Sequence, residues 1–103
     1  MWVINTGERS GQPFTFRITA GSIKTIGRAP RADFIVDAAL VSRVHCRLSA
    51  GASDLEVVDL SSTNGTYVNG ARIDRALLKS GDTLAVGKVE FVVSRGNDSS
   101  VTA

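Results

Sequence analysis

Apolar residues in this chain recur with period two over short runs, and turn-forming residues break those runs about every eight to twelve residues. That rhythm argues against long helices and for strands buried on one face. Phe14, Phe16 and Ile18 alternate with Thr15, Arg17 and Thr19, and Cys46, Leu48 and Ala50 alternate with His45, Arg47 and Ser49. Leu55 and Val57, then Leu84 and Val86, then Val89, Phe91 and Val93 continue the pattern. Successive strand side chains point to opposite faces, so each set defines one face to be covered. Two antiparallel sheets packed on those faces would enclose a core, which predicts an all-β sandwich.

The punctuation between the runs supplies the loops: Gly7 to Gly11, Ala20-Gly21, Ala29 to Asp33, Asp37 to Ser42, Gly51 to Ser53, Asp59 to Gly65, Asn69-Gly70, Ser80-Gly81 and Gly87-Lys88. Asn69-Gly70 is a hairpin signal, because both residues tolerate the positive φ that a type I′ turn needs. A chain of 103 residues encloses one core and not two. The domain is expected to span residues 1–95, with the polar, small residues of 96–103 forming a flexible tail or the start of a linker.

Charge and cysteine content exclude several functional classes. A net charge of +2 supplies no broad basic face of the kind a nucleic-acid reader shows. The single cysteine, Cys46, cannot form an intrachain disulfide and is compatible with a reducing compartment, so a cytoplasmic location is expected. Its phase with Leu48 predicts a small core residue. The two separated aromatics Trp2 and Tyr67 are expected to pack and not to stack on bases. No apolar run approaches the roughly 18 residues of a membrane span.

Three short motifs carry the chemistry, all in or beside loops: Gly27-Arg28, Ser42-Arg43-Val44-His45, and Ser61-Ser62-Thr63-Asn64-Gly65-Thr66. Arg28 suits an anion, since its planar fork of donors matches carboxylate and phosphate oxygens. Ser42 and His45, three apart, invite a nucleophile-and-base reading, but no nucleophile elbow or metal-ligand cluster accompanies them. In this order and spacing the three motifs closely resemble the forkhead-associated (FHA) domain family, and the resemblance covers nearly the whole chain.

That resemblance implies an FHA/SMAD-like, two-sheet antiparallel β-sandwich of about eleven short strands, with loops at one end forming a shallow phosphopeptide site. It implies phosphate contacts from Arg28, Ser42, Arg43 and Thr63, with Arg43 either reaching the phosphate or pointing to solvent. It gives Asn64 the backbone of the bound peptide, and gives Gly27, His45 and Gly65 structural support of the site. The implied function is phosphothreonine-dependent docking of a partner protein in serine/threonine kinase signalling, without catalysis, cofactor or metal. The isolated domain is expected to be monomeric, without membrane insertion and without nucleic acid as a partner. A domain of the same fold binding partners independently of phosphate is the main rival reading. Leu40 and Val41, apolar in a loop, either line a small pocket or pack back on the core.

Overall fold

A computed structural model describes residues 1–6 and 13–96. The loop expected over Gly7 to Gly11 and the tail beyond Gly96 lie outside the described residues. Eleven strands follow one another, with no helix among the described residues: β1 Trp2–Asn5, β2 Thr15–Ile18, β3 Ile23–Gly27, β4 Phe34–Ile35, β5 Cys46–Ala50, β6 Leu55–Asp59, β7 Thr66–Val68, β8 Ala71–Ile73, β9 Arg75–Leu78, β10 Thr83–Val86 and β11 Val89–Arg95. One sheet runs β2-β1-β11-β10-β7-β8 and the other β4-β3-β5-β6-β9. The pairings are antiparallel except β3 with β4, where Ile26 and Gly27 lie beside Phe34 and Ile35 in parallel. Period two finds β2, β5, β6, β10 and β11, while the two-residue β4 adds a parallel rung that is too short to leave a pattern.

The alternating residues meet between the sheets. Trp2, Ile4, Ile18, Leu84, Val86, Phe91 and Val93 come from the first sheet, and Ile26, Cys46, Leu48, Ala50, Leu55, Val57 and Leu78 from the second, all buried. Fully burying a side chain of this size stabilises by about 1.5–3 kcal/mol, so this layer dominates the folding free energy. Phe16 stacks on Phe34 with ring centroids 4.4 Å apart, joining the β2 edge of one sheet to the β4 edge of the other. Burial pushes the Cys46 thiol up to about 12, with the nearby Asp59 charge acting in the same sense, so it is a core residue and not a nucleophile at neutral pH.

The turns match their residues. Asn69 and Gly70 have φ of 51° and 86°, the type I′ hairpin between β7 and β8. Gly87 takes φ 62° at the first position of the two-residue turn between β10 and β11. The chain leaves β8 in one sheet and enters β9 in the other with only Asp74 between them.

The sandwich has two unlike poles. At one, the Trp2 indole N–H donates to the Gly51 carbonyl at 3.0 Å, and Arg95 lies over the Trp2 ring, 5.5 Å from its centroid, while also donating to the Ala52 carbonyl. At the other pole gather the end of β3, the segment before β5 and the loop after β6. These hold the three motifs.

Candidate functional site

Gly27 brings the first motif against the second. A Cβ there would fall on the Arg43 carbonyl and lie 2.9 Å from the Val44 Cα, so only glycine lets β3 run this close to the 42–45 segment. The contact is stitched by backbone bonds from Arg28 N–H to the Ser42 carbonyl at 2.9 Å and from Ala29 N–H to the Arg43 carbonyl at 3.1 Å. The Arg28 side chain is anchored as well, its Nε–H donating to the Val41 carbonyl at 3.1 Å. That bond uses one of five guanidinium donors and orients the rest, and Arg28 makes no ion pair among the described residues.

Ser42 is held from two sides. Its backbone N–H donates to His45 Nδ1 at 3.0 Å, and its Oγ accepts the Thr63 N–H at 3.0 Å. The hydroxyl proton therefore remains to be donated. His45 is fully buried, and with Nδ1 accepting, Nε2–H donates to the Gly65 carbonyl at 2.8 Å. Both ring nitrogens are thus engaged, Nδ1 in shaping the second motif and Nε2 in joining it to the third. The imidazole meets the Ser42 main chain and not its hydroxyl, which is not the arrangement of a nucleophile with its base.

The third motif is shaped from within. The Asp59 carboxylate accepts the Ser62 N–H at 3.1 Å, the Ser62 hydroxyl at 2.5 Å and the Thr66 hydroxyl at 2.7 Å; Ser62 Oγ in turn accepts the Gly65 N–H at 3.0 Å. Burial alone would raise the Asp59 pKa, but these donors outweigh it and hold the carboxyl below its ordinary value. Gly65 closes the loop at φ 90°, and a Cβ there would sit 2.8 Å from Arg72 Nε. The Asn64 amide reaches across to donate to the Leu40 carbonyl at 3.1 Å. Leu40 has a φ of 71°, uncommon for a branched apolar residue.

Arg28, Ser42, Thr63 and Asn64 line one open groove of about 480 Å³, together with Asp37 to Val41. Arg43 lines a separate recess with Arg28, Ala29 and Pro30, on the flank of that groove. Leu40 and Val41 part company: Val41 is buried in the core, and Leu40 stays 43% exposed at the groove. Two sets of residues lie in loops legible from the sequence but carry no motif that assigns them a contact. Asp37, Ala38 and Ala39 line the groove without a motif to mark them. The Asp59–Ser62 pair, three residues apart, has the spacing of a carboxylate folding back on its own turn.

An all-β sandwich whose loop pole carries a groove lined by an anchored arginine and by hydroxyl side chains defines a class of anion-reading binding modules. The chain belongs to the FHA-domain family, whose model matches residues 24–87. It is 35% identical over 94 residues to the glycogen accumulation regulator GarA of Mycobacterium tuberculosis, covering 91% of this chain and 56% of that protein. It is 35% identical over 96 residues to the ABC transporter ATP-binding/permease protein Rv1747 of the same organism, covering 93% of this chain and 10% of that protein. The chain thus spans about half of one relative and a tenth of the other. Among solved structures, one from a study of phosphothreonine-dependent FHA domain interactions superposes with a TM-score of 0.78 at 30% identity, covering 93% of this chain and 97% of that one. Among the described residues no helix is long and apolar enough to cross a membrane.

Proposed function

We propose that this domain binds a phosphothreonine-containing segment of a partner protein and performs no chemistry on it. The observation that carries the reading is the convergence on one groove of an anchored Arg28 and of Ser42, whose hydroxyl accepts the Thr63 N–H and keeps its own proton to donate. A phosphorylated side chain carries about −1.5 to −2 charge and three strong acceptor oxygens, and such a pair supplies both the charge and a donor. Arg43, beside Arg28, adds positive charge on the flank, and the second amide hydrogen and Oδ1 of Asn64 suit the backbone of an extended peptide. FHA membership and the phosphothreonine-dependent interactions of a structural neighbour support the same ligand.

The role follows as docking within serine/threonine kinase signalling, in keeping with relatives described as regulators or inhibitors. A non-catalytic role is supported by the two occupied nitrogens of His45. A cytoplasmic location is supported by a lone, buried cysteine. Titration calorimetry with matched threonine, phosphothreonine and phosphoserine peptides tests the reading. Only phosphorylated peptides should bind, and phosphothreonine should bind about tenfold more tightly than phosphoserine, as expected for one buried methyl group. Equal affinity for the unphosphorylated peptide would overturn it in favour of phosphate-independent docking.

A further inference from the structure

The groove that holds Arg28 also holds a carboxylate. Asp37 stands at the apex of a three-residue turn closed by the Ala38 N–H on the Val36 carbonyl at 3.0 Å. Both flanks are fixed: Val36 is buried and its N–H donates to the Gly27 carbonyl at 2.8 Å, beside the end of β3, while the Ala38 carbonyl accepts the Val41 N–H at 3.3 Å. Asp37 itself is exposed, with no hydrogen bond or ion pair among the described residues. No ion pair joins Arg28 to Asp37 among the described residues. Between Asp37 and Ser42 the groove is lined by Ala38, Ala39, Leu40 and Val41, none of which carries a charge.

Resting on the phosphothreonine reading of this groove, we propose that the preferred segment also carries a lysine or arginine that pairs with Asp37, and that a further acidic group at that place is rejected. Asp37 lines the same groove as Arg28 and Ser42, and charges act on one another over roughly 8 Å at physiological salt. It repels a second anion and attracts a cation, so it acts as a charge filter beside the phosphate contact.

The test is a peptide scan on the 103-residue chain. A single lysine or a single glutamate is moved from about four residues before to about four after the phosphothreonine, the reach of an extended chain at roughly 3.3 Å per residue. Affinities are measured at low and high salt for wild type, Asp37→Asn and Asp37→Lys, with melting temperatures as a check on folding. The proposal expects one position where wild type prefers lysine over glutamate by about threefold to tenfold at low salt, less at high salt. That preference should vanish in Asp37→Asn and invert in Asp37→Lys.

Phosphopeptides that bind wild type with no charge preference at any position would overturn this inference and leave the phosphothreonine reading standing. So would an equal gain in affinity for every peptide in Asp37→Asn, which would make Asp37 a general opponent of the phosphate. A preference that survives Asp37→Lys would assign it to another residue and overturn the inference too. Binding of no peptide, or equal binding of phosphorylated and unphosphorylated ones, would remove the phosphothreonine reading and this inference with it.

Discussion

The Ser42 hydroxyl oxygen accepts the Thr63 N–H at 3.0 Å, a bond that spans 21 positions of sequence and joins two of the three motif loops. It is one of several bonds that assemble the groove before any ligand arrives. Preassembly of this kind lowers the ordering that binding would otherwise require.

Arg28 should matter to binding far more than to folding. Its side chain makes one partly buried bond, to Val41, worth about 1 kcal/mol. A charge-assisted contact to a phosphate is worth about 2–5 kcal/mol when one partner is removed. Arg28→Ala should therefore abolish measurable phosphopeptide binding in calorimetry and lower the melting temperature by only a few degrees. Arg28→Lys should recover part of the affinity, because an ammonium lacks the fork that holds Val41 and an anion together. Full affinity in Arg28→Ala would remove this residue from the site.

His45 and Ser42 should separate in the opposite way. His45→Ala leaves the Ser42 N–H and the Gly65 carbonyl without their buried partner, at about 1–3 kcal/mol for each group stranded. For a domain of this size each kcal/mol moves the melting temperature by roughly 4–8 °C. The variant should melt well below wild type and bind weakly, whereas Ser42→Ala should lose affinity with a much smaller thermal shift. Equal melting curves for wild type and His45→Ala would return the imidazole to a direct role at the ligand.

Gly27 and Gly70 offer a matched steric comparison. A methyl at Gly27 meets fixed backbone, while one at Gly70, φ 86°, meets nothing within 4 Å and suffers only from its dihedral. Gly70→Ala should cost about 1–2 kcal/mol, the ordinary penalty of a left-handed L-residue. Gly27→Ala should cost more and also weaken phosphopeptide binding, since β3 and the 42–45 segment must separate. Chemical denaturation of both variants decides this, and a smaller loss for Gly27→Ala would contradict the close approach.

Asp59 sets an acid limit on the fold. Its folded pKa lies below the ordinary value of 3.8: burial raises it, but the donors on Ser62 and Thr66 more than compensate. The stabilisation is thus complete above the unfolded value and is lost as pH falls through the folded one. The gap in melting temperature between wild type and Asp59→Asn should be constant above about pH 5 and narrow at lower pH. A gap that widened on acidification would mean that the carboxylate destabilises the loop.

Legibility in the sequence followed the range of the interactions. The Leu48 and Phe91 strands were visible because burial on one face leaves a period of two, and the Asn69-Gly70 turn because its dihedrals admit few residues. Arg28, Ser42 and Asn64 were visible as short motifs, but their mutual contacts through Val41, Thr63 and Leu40 cross 13 to 24 positions and leave no local trace. The same is true of Asp37, an ordinary loop aspartate until β3 and β4 pair in parallel and carry it to the groove. Leu40 and Val41 are adjacent and similar, yet Leu40, at positive φ, is exposed while Val41 is buried.

The pole opposite the groove has a mechanical consequence. β1 and β11 are antiparallel neighbours, with Trp2 beside Arg95 as their outermost rung and the Gly96 N–H bonded to the Met1 carbonyl. A load applied between Met1 and Gly96 pulls across that pair and not along it. The rungs then carry the force one after another and yield singly, whereas strands drawn past each other lengthwise share it. The seam should part from Trp2 inward, at the end of β11 farthest from Gly87 and Leu40, so tension transmitted through these two points would release β1 before it disturbs the groove.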